Sequence, residues 1–421
     1  MRSLQRQRKI YLDGFAGKKP TTPVSYAGLE EKARQLLSPE AFAYLAGGAG
    51  SETTIDANRQ ALDKVKIHPR MLGGVQEVSM QLPWRAHTLP APFMLAPIGV
   101  LELAHRDGDL AEARAAASLN IPMIISSQAS YPMETIAKNL GSCPRLFQLY
   151  YSKSKELSRS FIRRAEAIDC SALVVTLDTT LLGWRVRDLS YGYNPFLHGK
   201  GIAQYYSDPV FNALPDPQAD DSIKPTLTLS LIENLMRLNH RIPGGWFNNL
   251  RSGKGMKTVR KFTSIFNNPG INWDDIALIR EWTALPIYLK GILRADDALK
   301  AASIGVDGII VSNHGGRQID GAIASVEALR EILDVVKGKL DVWIDSGIRN
   351  GSDAYKCIAL GATGVMIGRP HAMALACGGT QGVIDCVTNI MSELELNMAL
   401  SGCRTINEIN SSLISYPWKT I

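Results

Sequence analysis

Eight short apolar runs, each closing on a polar or charged residue, constrain this chain more than any other feature of it. They are Phe93–Gly99, Pro122–Ser127, Arg145–Tyr150, Ala172–Asp178, Pro286–Gly291, Gly308–His314, Asp341–Gly347 and Gly364–Arg369. Runs of this length, bounded by turn residues, read as buried strands. The helix-length amphipathic segments between them make repeated βα units and a parallel sheet. Eight such units are the number that closes a (β/α)8 TIM barrel, so the predicted fold class is α/β.

The polar ends of these runs are Ser126, Gln148, Thr176 with Asp178, Lys290, Ser312 with His314, Asp345, and Arg369. Any one of them has a plain explanation as the first residue of a loop. As a set they converge on one face of a barrel, the face where barrel enzymes carry their active sites.

The barrel is expected to occupy residues 91–421, with 1–90 as a helical extension covering one end. Tyr26–Leu37 and Pro39–Ala46 read as helices in that extension, the second stopped by Gly47-Gly48. The fourth run is followed by a long insertion, 183–266, before the next helix begins near Asn272. Loops beyond ~15 residues are functional or disordered. Tyr191, Tyr193, Tyr205, Tyr206, Trp246 and Phe247 predict an ordered lid over the barrel mouth, with Ser252–Lys257 as a mobile stretch. A partner-docking or membrane-surface segment is the rival reading.

Charge and composition exclude several functions. The net charge of +6 is spread along the chain and coincides with no aromatic-rich basic stretch, so no nucleic acid partner is expected. No window reaches the ~18 consecutive apolar residues of a membrane span, and Met1 to Ile10 is basic and polar, unlike a signal peptide. A cytoplasmic protein is expected. The six cysteines are scattered, with no CxxC pair and no metal-ligand spacing, so they read as reduced thiols and no metal is expected.

The stretch richest in chemistry is Val311-Ser312-Asn313-His314-Gly315-Gly316-Arg317-Gln318 at the end of the sixth run. His314 and Arg317 flank a glycine pair that lets the backbone turn tightly beside a ligand. A general base and a carboxylate clamp would then face one cavity. With its surroundings this stretch resembles the active-site signature of the FMN-dependent L-2-hydroxyacid oxidase and dehydrogenase family. The likeness runs from about Tyr26 to Arg404.

That resemblance implies FMN as cofactor and assigns residues to it. Pro97, Ile98 and Gly99 would lie beside the flavin ring near N5, and Ser126, Gln148 and Thr176 would hydrogen-bond the ring. Lys290 would sit near the N1 and C2 carbonyl edge, where a fixed cation stabilises the negative charge of two-electron reduction. Ser312 belongs to the same cofactor set. Gly347, Arg349, Gly368 and Arg369 stand where barrel enzymes hold phosphate with backbone amides and arginine. Asp345 would reach the ribityl hydroxyls. Ser346 stands where many relatives have glycine.

The same resemblance makes Tyr44, Tyr150, Arg185 and Arg317 the substrate contacts. His314 is then the general base, with Asp178 orienting it and Tyr150 beside the reacting atoms. Two guanidiniums can hold a carboxylate by bidentate, charge-assisted bonds, which suits a small L-2-hydroxy acid. Arg187 is the decoy of the pair. Whether His314 takes the C2 proton or the hydroxyl proton stays open.

No haem-binding domain is seen ahead of the barrel, which favours dioxygen as electron acceptor. Two details are similar to the lactate 2-monooxygenase branch: Gly99, where most of the family has alanine, and the insertion with Asn194-Pro195-Phe196-Leu197 and Ser207-Asp208-Pro209-Val210-Phe211. They imply L-lactate oxidised with decarboxylation to acetate, CO2 and water. Three alternatives stay open: an oxidase releasing 2-keto acid and hydrogen peroxide, a quinone-linked dehydrogenase, and an inactive flavin-binding sensor or scaffold. Relatives are commonly tetramers or octamers, so a homo-oligomer is expected.

Overall fold

All eight apolar runs form strands in the computed structural model, which describes residues 1–217 and 226–418. They are β1 (Phe93–Leu95), β2 (Met123–Ile125), β3 (Arg145–Leu149), β4 (Ala172–Thr176), β5 (Ile287–Ile292), β6 (Gly308–Val311), β7 (Asp341–Ile344) and β8 (Gly364–Ile367). Each pairs in parallel with the next, and β8 pairs with β1 to close the barrel. The architecture is a (β/α)8 TIM barrel. Seven of the eight strands end short of their runs (β5 runs one residue past its own), so Ser126, Ser312, Asp345 and Arg369 stand just beyond their strands, at the C-terminal mouth.

Side chains alternate across each strand, and the two faces build two cores. Met94, Ile124, Leu146, Val174, Tyr288, Ile310, Trp343 and Met366 fill the barrel interior. The opposite faces, with Phe93, Leu95, Phe147 and Leu173, pack against the surrounding helices.

The first 90 residues are less uniformly helical than their sequence predicts. Helices Tyr26–Leu36 and Pro39–Ala46 are present, capped by Ser25 and Ser38. A hairpin of Leu82–Trp84 and His87–Leu89 and a strand Lys66–Ile67 paired with Ile414–Ser415 follow. The hairpin drives Trp84 into the barrel floor, where its Nε1 donates to the Tyr288 hydroxyl at 3.0 Å. Gly47 and Gly48 also differ from expectation, since neither adopts the left-handed conformation of a helix stop. A Cβ on Gly47 would lie 2.5 Å from the Ala43 carbonyl, and one on Gly48 2.9 Å from the Gly316 carbonyl. Close backbone approach, rather than helix termination, requires these glycines.

The insertion is ordered by aromatic packing. Tyr205, Phe211, Phe262 and Phe266 meet at ring distances of 4.7 to 5.7 Å, each such pair worth about 0.5–1.5 kcal/mol beyond its burial. Hydrogen bonds then tie it to the β1 and β2 loops. Gln204 bridges Met133 N and the Tyr131 carbonyl, and Ala203 N donates to the Ala129 carbonyl. Arg241 forms an ion pair with Glu102. Ser252–Lys257, expected to be mobile, instead holds the turn at Gly253 and the start of helix Lys254–Ile265. Positions 218–225 of the expected insertion lie outside the described residues. Among the described residues no helix is long and apolar enough to cross a membrane.

Candidate active site

The C-terminal mouth opens into a cleft whose empty space, counted out into the open solvent at its entrance, is about 1100 Å³. Of the residues expected at the site, Tyr44, Pro97, Ile98, Gly99, Tyr150, Arg185, Lys290, His314, Arg317, Asp345, Ser346, Gly347, Arg349, Gly368 and Arg369 line it. Asp178, Ser126, Gln148, Thr176 and Ser312 stand directly behind this lining.

His314 is aimed by an unusual turn. His314, Gly315 and Gly316 have φ of 58°, 65° and 75°, so three successive residues are left-handed. Two side chains of the same loop and one from the loop after β7 hold them there. The Ser312 hydroxyl accepts from His314 N at 3.0 Å, Ser346 Oγ from Gly315 N at 2.9 Å, and Asn313 Oδ1 from Gly316 N at 3.1 Å. His314 Nδ1 then lies 2.8 Å from Asp178 Oδ1, with Thr179 Oγ1 at 3.3 Å. Nε2 has no protein partner among the described residues and is the nitrogen left for a ligand.

Electrostatics keep that nitrogen basic but neutral. Burial pushes His314 below its ordinary value, Asp178 opposes this, and Lys290 and Arg185 reinforce it. Burial works to raise the Asp178 carboxyl, yet His314 and Lys290 outweigh it and hold it below the usual carboxylate range. A neutral imidazole against an ionised carboxylate is the resting state of a general base.

Lys290 is buried and satisfied by Asp345 Oδ2 at 3.2 Å and Ser312 Oγ at 2.8 Å. Burial alone would discharge it, but Asp345 and Asp178 raise its proton affinity and keep the ammonium. Beside it, Ser126 Oγ and Ser127 N donate to Gln148 Oε1 at 3.1 Å, so that the amide nitrogen points away from them. That nitrogen and Thr176 Oγ1 are buried without a protein partner among the described residues. Such orphans cost about 1–3 kcal/mol unless a ligand meets them. A flat heterocycle with carbonyl and ring-nitrogen edges could meet both, with Lys290 as a fixed cation beside it.

Farther along the mouth, Arg349 lies 4.0 Å over the Tyr26 ring and Arg369 donates to the carbonyls of Gly315 and Gly47 at 2.8 Å. Arg369 Nε has no partner among the described residues. Two guanidiniums with Gly347 and Gly368 beside them are a donor set that could hold a phosphate. These donors are compatible with a flavin mononucleotide at its ring and phosphate ends.

Across the cleft, Arg185 and Arg317 flank Tyr44, at 5.9 and 5.1 Å from its ring centre. Burial, together with Arg185, pushes Arg317 down to about 9. Two buried like charges so placed call for an anion between them. Arg187 turns away to Glu52 at 2.5 Å.

Several lining residues escape sequence reasoning. Gln128 and Leu182 sit in loops with no periodic signal, and Asn58 reaches Asn313 from a helix 255 residues earlier. Ser346 does make contacts, bridging Asp345, Gly315 and Asn313 at φ 77°.

Comparison with known proteins agrees with this geometry. A family model described as FMN-dependent dehydrogenase matches residues 33–416. The chain is 37% identical to an L-lactate oxidase of Lysinibacillus sphaericus over 390 residues, 92% of each chain. It is 35% identical to the FMN-dependent alpha-hydroxy acid dehydrogenase qulF of Penicillium citrinum, covering 98% of this chain and 96% of that one. A solved structure of mandelate oxidase superposes with a TM-score of 0.75 at 33% identity, covering 95% of this chain and all of that one. The chain belongs to the FMN-dependent dehydrogenase family of 2-hydroxyacid oxidoreductases, with FMN as its cofactor.

Proposed function

We propose that this enzyme oxidises L-lactate with dioxygen and retains the product for decarboxylation, giving acetate, CO2 and water. The observation that carries the reading is the facing arrangement in one cleft of a neutral imidazole and two buried guanidiniums. Relatives named L-lactate oxidase support the choice of substrate.

In this reading Arg185 and Arg317 hold the carboxylate and so fix C2 with respect to the cofactor. His314 Nε2 accepts the proton released as C2 is oxidised, and Asp178 stabilises the imidazolium that forms. Tyr150 and Tyr44 present hydroxyls to the same substrate oxygens. Bound FMN supplies the two-electron acceptor and the means of returning electrons to dioxygen. Its ring would be held by the Pro97–Gly99 backbone, Ser126, Gln148, Thr176 and Lys290 with Ser312. Asp345 and Ser346 would lie along the ribityl chain, and Gly347, Arg349, Gly368 and Arg369 at the phosphate.

Retention of pyruvate beside hydrogen peroxide is supported by the insertion, which is hydrogen-bonded to the β2 loop and ion-paired to Glu102 of the β1 loop. A closed mouth lets peroxide decarboxylate the keto acid before either escapes. Product analysis after L-lactate turnover in air tests this. Acetate and CO2 in equal amounts with little free peroxide is the expected result; pyruvate and peroxide in equal amounts assigns simple oxidase chemistry instead.

A further inference from the structure

One side chain touching both catalytic loops has no role in the chemistry described so far. Gln318 uses its whole carboxamide: Nε2 donates to the Asp178 carbonyl at 2.6 Å and the Leu181 carbonyl at 2.9 Å. Its Oε1 accepts from Gly183 N and from Arg185 Nη2, each at 3.3 Å. Thus all four bonds run from the loop after β6 to the loop after β4. A second observation places the same two loops in backbone contact. A Cβ on Gly183 would lie 2.4 Å from the Arg317 carbonyl and 2.8 Å from Gln318 Cα. Arg185 Nε also lies 3.5 Å from the Arg317 carbonyl.

We propose that Gln318 is a positioning residue that locks the Asp178–Arg185 loop onto the His314–Arg317 loop, so that substrate carboxylate binding and the base are set by one clamp. One end of the bridged segment carries Asp178, the partner of His314, and the other carries Arg185, half of the carboxylate clamp. A single amide group therefore fixes the register of both. The inference rests on the reading of Arg185, Asp178 and His314 as reaction residues.

The charged and titratable groups facing His314 are Asp178 and Arg185 from the β4 loop and Lys290 from β5, with Tyr150 beside Asp178. Among them only Asp178 raises the proton affinity of His314. Loosening Asp178 lowers that affinity, and loosening Arg185 weakens carboxylate binding.

Gln318→Met keeps the volume and removes all four bonds. Gln318→Glu keeps the two acceptor bonds and loses the two donor bonds, which gives a second chance of a folded protein. In FMN-loaded Gln318→Met, KM for L-lactate and Kd for oxalate, read from the flavin spectrum, are expected to rise about tenfold, the scale of a sub-ångström misplacement. The acidic limb of the reduction rate is expected to move to lower pH in Gln318→Met; in Gln318→Glu, whose added carboxylate itself raises the proton affinity of His314, the readout is weakened oxalate binding, and FMN affinity is unchanged in both. A lowered Tm with KM, oxalate affinity and the pH limb all unchanged shows a merely structural residue and overturns the clamp. A wild-type protein that loads FMN but is reduced by neither L-lactate nor glycolate overturns instead the reading on which the clamp rests.

Discussion

The Asp178 carboxylate and the His314 ring meet at 2.8 Å through Oδ1 and Nδ1, across 136 residues of sequence. The carboxylate accepts the Nδ1 proton, which leaves the lone pair on Nε2 and so decides which nitrogen can act as base. His314→Gln is expected to keep FMN and bind substrate while losing flavin reduction by about 10²–10⁴-fold, the usual span for a general base. Rapid-mixing measurement of the reductive step checks this, and near-normal reduction removes His314 from the role.

The same pair sets a pH dependence. Burial, with Lys290 and Arg185, outweighs Asp178 and lowers His314 from its ordinary 6.5. The base is active when neutral, so the reduction rate should rise with pH through a midpoint below 6.5. Asp178→Asn removes the one influence that raises it and should move the limb farther toward acid. A midpoint above 6.5 in the wild-type protein contradicts this electrostatic account.

Arg317 donates to the carbonyls of Tyr44 and Gly47 at 2.6 and 2.9 Å, which fixes its planar fork in the cleft. Lysine keeps the charge and loses the fork. Arg317→Lys is therefore expected to raise KM for L-lactate by about tenfold to a hundredfold, the worth of one or two charge-assisted bonds, with FMN affinity retained. Steady-state kinetics alongside FMN titration separates the two effects.

Gly99 packs against Gln128, and an added Cβ would lie 3.0 Å from Gln128 Cβ and 3.1 Å from its Oε1. Gly99→Ala must therefore displace a cleft-lining side chain. The expected result is a shift of product from acetate toward pyruvate and peroxide, read by quantifying both acids after turnover in air. An unchanged ratio leaves product retention to the insertion alone.

Ser346 combines a strained backbone with three hydrogen bonds. Ser346→Ala keeps the left-handed strain and strips the partner from Gly315 N, a loss of about 1–3 kcal/mol. Ser346→Gly loses the same bonds but relieves the strain. Thermal unfolding of the FMN-loaded proteins should rank wild type above glycine and glycine above alanine.

The barrel was legible because its signal is local: eight apolar runs with polar ends need no knowledge of distant contacts. The resemblance supplied identities for the site, and the structure brings those residues to one cleft. Contacts between remote segments were not legible. Asn58 on Asn313, Trp84 in the barrel floor and Gln318 on Asp178 depend on which loops meet in space, and no periodicity records that. Gly47 and Gly48 show the same limit, since a glycine needed for close approach looks identical in sequence to one that ends a helix. Ser252–Lys257 carried small and basic residues typical of a loose loop, yet its helix buries Gly255 against Asn239 and Leu238.

Anaerobic mixing of the FMN-loaded enzyme with L-lactate tests the central claim most directly. Rapid bleaching of the flavin in the wild-type protein, lost in His314→Gln although that variant still holds FMN, is the predicted result. Bleaching at equal rates in both proteins, or in neither with any small 2-hydroxy acid, contradicts it.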